Sequence, residues 1–203
     1  MKIISFEGIE GVGKSTQINL LKEYLEIKNN NVEVLREPGS TIAGEEIRKI
    51  LLNKSHDLCD KTELLLMFAA RSELINNYIV QNNYDFLLLD RFYDASIAYQ
   101  GYGRGLSLDF IDSLIKFVEC PVPDLSILLD IKVEEGFKRK MNDSKDRIEL
   151  SGNKFFNNVR DGYLVNAKNN SNRFKIIDAS KDVNDIRNSI IKIVKELWLN
   201  SNL

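Results

Sequence analysis

The stretch Gly8-Ile9-Glu10-Gly11-Val12-Gly13-Lys14-Ser15 decides how the rest of the chain is read. It fits G-x-x-x-x-G-K-[S/T] at every fixed position, and Thr16 follows it. A short apolar run, Lys2–Phe6, precedes it, and an amphipathic segment, Ser15–Lys28, comes after. A strand that turns through a glycine-rich loop into a helix is the setting in which this spacing binds phosphates. The glycines let successive backbone N–H groups turn inward around a triphosphate, and the start of the helix adds its positive end. Lys14 is then expected at the β- and γ-phosphates, and the Ser15 hydroxyl on Mg2+. Gly8, Ile9, Glu10, Gly11, Val12, Gly13, Lys14, Ser15 and Thr16 are the expected ATP contacts.

Outward from this loop, apolar runs at Val32–Arg36, Phe86–Asp90, Ser126–Ile131 and Phe174–Ile177 read as further strands. Their Ile, Leu and Val content suits strands buried on both faces. Amphipathic stretches alternate with them at Gly44–Leu52, Lys61–Asn82, Leu108–Val118, Glu134–Lys140, Phe155–Lys168 and Val183–Leu199. In the last, Val183, Ile186, Ile190, Ile193, Val194 and Leu197 form a stripe of helical period. The pattern predicts an α/β P-loop NTPase fold, a five-stranded parallel sheet flanked by helices on both faces. Residues 1–203 read as a single domain, without repeats or a Pro/Gly-rich linker. Met141–Gly152 is polar, charged and poorly periodic. It is either a surface loop or a mobile lid, placed at about 139–152, that closes over nucleotide phosphates.

Composition narrows the class. The net charge of −2 on 203 residues gives no whole-molecule attraction to nucleic acid or an acidic membrane, so anions must be met by local Arg and Lys. No apolar stretch approaches the roughly 20 residues of a membrane span, and the N-terminal apolar run is too short for a signal peptide. A cytoplasmic protein is expected. Cys59 and Cys120 have no metal-binding spacing and read as buried thiols in a reducing compartment.

Asp90 ends the run Phe86–Leu89, where a carboxylate at a neighbouring strand tip can share Mg2+ with Ser15. Arg91 follows and is suited to stabilising a transferred phosphoryl. Guanine recognition by N-K-x-D is absent, since Asn53-Lys54-Ser55-His56-Asp57 is one residue too long. His56 reads as a surface residue. A small-molecule kinase fits best.

From Met1 to about Ser180 the sequence resembles the thymidylate kinase family. The resemblance is carried by Phe6–Thr16, R-E-P-G-S-T (Arg36–Thr41), L-L-M-F-A-A-R-S-E (Leu65–Glu73), the run Asp90–Gly105 and D-R-I-E (Asp146–Glu149). It implies phosphoryl transfer from ATP with Mg2+ to dTMP. Phe68, which by position alone would be called core, would stack on thymine, and Arg71 would hydrogen-bond the base. Ser96 and Gln100 would offer polar groups to the base edge, and Tyr99 would occupy the space of a ribose 2′-hydroxyl. Arg48 and Arg91 would grip the acceptor 5′-phosphate, Glu37 and Pro38 would shape the loop beside it, and Glu10 would face the acceptor sugar or a metal-bound water. Asp178 and Ala179 would border adenine.

Because the loop carries Glu10 and Gly11 where some members have a basic residue, the additional catalytic cation would come from the lid. Arg139, Lys140, Lys145 and Arg147 are the candidates, with Arg147 the best-anchored match. Met141-Asn142-Asp143 departs from the arginine-rich lids of some bacterial members. A homodimer through the Leu108–Val118 region is also implied. Two other readings stay open, namely a different nucleoside monophosphate or deoxynucleoside kinase, and an ATP-binding regulatory protein without transfer.

Overall fold

The computed structural model describes residues 1–80, 83–140 and 145–199. Strands β1 (Lys2–Glu7), β2 (Val32–Arg36), β3 (Phe86–Asp90), β4 (Leu125–Asp130) and β5 (Phe174–Asp178) form one parallel sheet in the order β2-β3-β1-β4-β5. Parallel pairing requires crossovers, and the helices that supply them cover both faces. Residue alternation divides the core accordingly. Ile4 and Phe6 of β1 and Leu88 of β3 join one apolar cluster, while Ile3, Leu87 and Leu89 join the other.

The helices are α1 (Lys14–Ile27), α2 (Ile42–Leu52), α3 (Asp60–Leu74), α4 (Tyr93–Ser96), α5 (Leu108–Phe117), α6 (Val133–Arg139), α7 (Gly152–Asn169) and α8 (Val183–Val194). Single π-helical stretches extend α3 through Ile79, α4 through Gly103 and α8 through Leu199. In α8 the apolar stripe is buried at Ile186, Ile190 and Val194, and the helix packs beside α1. The helix expected to reach Asn82 is seen as far as Ile79, and Asn82 lies outside the described residues.

Two expectations need correction. Cys59 is exposed and Cys120 only half-buried, so neither is a fully buried thiol, although both are free. Cys59 sits just ahead of α3, where a helix start meets solvent. The helices expected from the pattern leave out Tyr93–Gly103, which is helical here, although the four-residue spacing of Ser96 and Gln100 already sets them on one helix face. The segment's aromatic, β-branched and glycine content is unfavourable for a helix in isolation. Packing against α7 overrides that preference. A Cβ on Gly103 would come within 2.6 Å of Phe155, and one on Gly162 within 2.7 Å of Tyr102, so these glycines allow the two helices to touch.

The sheet order puts the functional loops side by side. Phe6 is in register with Asp90, so the glycine-rich loop leaves the central strand next to the tip of β3. Ligands of open α/β sheets bind at this carboxyl edge.

Candidate active site

The donor half is built almost entirely from residues 8–16. Gly8, Gly11 and Gly13 all have positive φ, at 135°, 74° and 89°. At Gly11 a side chain is also excluded by space, because an added Cβ would fall 2.0 Å from the Gly136 carbonyl oxygen of α6. Lys14, at the first position of α1, donates to the carbonyl oxygens of Ile9 (2.9 Å) and Gly8 (3.3 Å). Burial, reinforced by neighbouring Arg91, pulls its ammonium down to about 8. A triphosphate here would restore the charge. The Ser15 hydroxyl donates to Asp90 at 2.9 Å, so the two predicted metal ligands are adjacent. Both offer hard oxygen atoms, and Asp90 has no ion-pair partner among the described residues, which fits Mg2+.

The acceptor half is assembled from several elements. One cavity of about 580 Å3 joins both halves, and Lys14, Ser15, Pro38, Arg48, Arg91 and Tyr99 all line it. Arg71 of α3 is 2% exposed. It donates through Nε to Glu37 (2.8 Å), through NH1 to Ser96 (3.1 Å) and through NH2 to the Phe92 carbonyl (3.3 Å). Burial pushes the Glu37 carboxyl up while Arg71 opposes it, and Glu37 Oε1 is buried without a hydrogen-bond partner among the described residues. Arg48 of α2 donates to the Pro38 carbonyl at 2.9 Å. Thr41 caps α2 by accepting from Gly44 N at 2.8 Å, which helps to hold that arginine in place.

Arg91 joins the two halves. It holds φ at +69°, an uncommon conformation for a non-glycine residue and one that concentrates at functional sites. Its guanidinium donates to Gly8 O (2.7 Å), Glu10 (2.8 Å) and the Tyr163 hydroxyl (3.2 Å). Tyr99 donates to Glu10 at 2.8 Å, and its ring packs edge-on against Phe155, Phe156 and Tyr163. Tyr163 in turn donates to Glu7 at 3.0 Å. Burial, with Asp94 nearby, pushes the Glu7 carboxyl up to about 8.

Not every predicted residue faces the cavity. Phe68 packs with Leu64 and Ile111, with the Arg71 guanidinium 4.6 Å from its ring centre, and Met67 is the α3 apolar residue lining the cavity. Asp178 and Ala179 end β5 away from the cavity lining, where Asp178 accepts from Ser180 N and Ala179 N donates to Asp130 O. Among the lid candidates, Arg139 and Lys140 line the cavity, and Lys140 is paired with Glu149. Lys145 lies 5.5 Å from the Phe137 ring. Arg147 is turned to Glu63 (2.6 Å) and the Leu51 carbonyl (2.7 Å) instead. Met141, Asn142 and Asp143 fall outside the described residues.

Sequence reasoning did not single out Arg36, Glu63, Arg104 or Tyr163. Arg36 stands beside the quoted Glu37 and could have been found by its position at the tip of β2. Arg104 closes the quoted run Asp90–Gly105, just past the helical segment; Glu63 and Tyr163 are ordinary helix residues by sequence, and only the packing of α3 and α7 brings them to the site.

The family model described as thymidylate kinase matches residues 6–190. The chain is 48% identical over 201 residues to a thymidylate kinase of Vesicomyosocius okutanii, covering 97% of this chain and 98% of that one. It is 43% identical to a thymidylate kinase of Kosmotoga olearia, covering 93% of each. The crystal structure of thymidylate kinase from Ehrlichia chaffeensis superposes with a TM-score of 0.78 at 36% identity, covering 96% of this chain and 98% of that one.

Proposed function

The chain belongs to the thymidylate kinase family, and on that premise we propose that it transfers the terminal phosphoryl group of ATP to dTMP, giving ADP and dTDP. The observation that carries this reading is the single cavity in which the phosphate loop and a second set of arginines face each other. Two polyanions must meet there, so the side chains provide positive charge and positioning rather than covalent chemistry. The acceptor phosphate oxygen is already anionic, and no general base is needed.

Lys14 and the loop N–H groups hold the donor phosphates, and Arg48 and Arg91 hold the acceptor phosphate. Arg71, Ser96 and Gln100 surround the base, while Tyr99 and Glu10 flank the sugar. Ser15 and Asp90 would hold Mg2+, which when bound supplies positive charge to the phosphate oxygens. Of the lid cations, Arg139 is favoured for the transferring group. It lines the cavity and has no ion-pair partner among the described residues, whereas Arg147 is committed to Glu63. Lid closure would exclude water that otherwise hydrolyses ATP.

A deoxynucleoside kinase would need a carboxylate free to take a hydroxyl proton. Glu10 is instead paired with Arg91 at 2.8 Å, and Glu37 holds Arg71 at 2.6 Å through one of its two oxygens. ADP release measured across dTMP, dUMP, dCMP, dGMP and thymidine tests the assignment. We expect dTMP to be the best acceptor. The thymine methyl group alone is worth roughly 10- to 200-fold over dUMP. A preference for thymidine over dTMP would overturn the reading.

The protein is also proposed to pair with a second copy through α5, which leaves Phe110 and Phe117 51% and 82% exposed. Sedimentation at micromolar concentration checks this, with a dimer expected. Among the described residues no helix is long and apolar enough to cross a membrane.

A further inference from the structure

Glu63 lies on α3, earlier on the same helix as Arg71, and its side chain is 0% exposed. It is a meeting point for three donors. Gln100 Nε2 reaches Oε1 at 2.9 Å, Arg104 reaches both oxygens at 3.2 and 3.0 Å, and Arg147 reaches Oε2 at 2.6 Å. Burial works to raise the Glu63 carboxyl, but the hydrogen bonds from Arg104 and Gln100 and the arginine charges prevail and hold it below its usual range. An ionised carboxylate only accepts hydrogen bonds.

That fact decides which way the Gln100 amide points. Its nitrogen is committed to Glu63, because turning the amide over would set two acceptor oxygens against each other. The amide carbonyl is therefore the group left for a ligand. Gln100 lines the cavity, and its oxygen accepts no hydrogen bond among the described residues. Arg71 supplies the complementary group. Of the five N–H bonds of a guanidinium, Nε–H goes to Glu37, whose oxygen also lies 2.6 Å from NH2, one on NH2 goes to the Phe92 carbonyl and one on NH1 to Ser96. One N–H of NH1 remains.

The site thus presents one acceptor and one donor. A pyrimidine with N3–H beside a C4 carbonyl matches both. Cytosine reverses both, with an acceptor at N3 and an amino group at C4. We infer that Glu63 is a positioning residue for specificity: by holding the Gln100 amide in one orientation, it makes the site take thymine-like bases and refuse cytosine. This rests on the proposed kinase activity towards dTMP.

The test is the ratio of kcat/KM for dTMP to that for dCMP, measured in the wild type and in Glu63→Gln, with the KM for ATP as a control. A neutral glutamine can donate or accept, so the Gln100 amide is free to turn over. We expect the ratio to narrow by about tenfold or more, since unmatched polar groups underlie such discrimination, with the KM for ATP little changed. Glu63→Asp keeps a charge beneath both arginines but withdraws it from the amide by one methylene. It should narrow the ratio by a smaller factor and guards against failure of the first variant to fold.

A role in stability alone would lower the melting temperature and slow both acceptors equally. An unchanged ratio in whichever variant folds would therefore overturn the inference, as would a wild type indifferent between dTMP and dCMP. A wild type inactive on dTMP would instead overturn the proposed function.

Discussion

The two halves of the cavity are built in opposite ways. The proposed donor half is a single run of residues, 8–16, whose expected binding groups are largely backbone N–H bonds shaped by glycine φ angles. The proposed acceptor half is made of charged and polar side chains from the loop after β2 and from α2, α3 and α4, several of them buried and paired with one another. In the first, Lys14 rests on carbonyl oxygens and has no carboxylate partner among the described residues. In the second, Arg71 and Glu37 neutralise each other at 2% and 5% side-chain exposure. Removing a group from the donor half should therefore cost activity. Removing one from the acceptor half should cost both activity and fold.

The strongest way to break this contrast is Arg71→Ala. It leaves the Glu37 carboxylate buried without its cation, and breaking a buried pair costs roughly 3–5 kcal/mol. Urea unfolding should show that loss, together with a rise in KM for dTMP well above that for ATP. Equal damage to both substrates would remove Arg71 from the base site.

Lys14→Ala comes next, with an expected fall in kcat of about 10²–10³-fold, as for loss of one preorganised charge-stabilising group. Circular dichroism and the unfolding midpoint should stay near wild type. A variant that transfers at a near-normal rate would defeat the phosphate-loop assignment, and one that unfolds would defeat the contrast.

Thr41→Ala removes the cap of α2 and should destabilise by about 1 kcal/mol. Its kinetic effect should fall on dTMP, through Arg48, rather than on ATP. The smallest effect is expected at Glu7, which lies beneath the junction and accepts from Phe92 N at 2.9 Å and from Tyr163. Its carboxyl is raised from 4.5 to about 8, so the stability it contributes is complete below about pH 4.5 and is lost as pH climbs through 8. Glu7→Gln should be close to neutral at about pH 4.5, where the folded wild type carries a protonated carboxyl, within about 1 kcal/mol. It should gain on the wild type by pH 8. Parallel unfolding curves for the two proteins across that window would show that Glu7 is not the titrating group.

The same contrast explains what could be read in advance. The positions of the P-loop, Asp90 and Arg91 were legible because they depend on spacing within a few residues and on the ends of apolar strands. The strand pattern was legible for a related reason, since each of these strands is a short apolar run between polar segments. Arg71, Ser96 and Gln100 were named from the resemblance, and by local sequence Arg71 would equally suit a solvated helix charge. Phe68 sits in a small apolar cluster beneath Arg71, as its helical position alone suggested, and its stacking on a base remains part of the proposal. Arg147 was chosen for its neighbours in sequence, yet its guanidinium satisfies Glu63.

By itself, then, the sequence determined the sheet and the conformation of the glycine-rich loop. These follow from backbone conformation and hydrophobic period, both of which are local. Tertiary structure alone decided the path of Tyr93–Gly103, the pairing of Arg71 with Glu37, and the convergence of Gln100, Arg104 and Arg147 on Glu63. A buried charge takes whichever partners the fold brings near, because leaving it unpaired costs more than almost any local preference can offset.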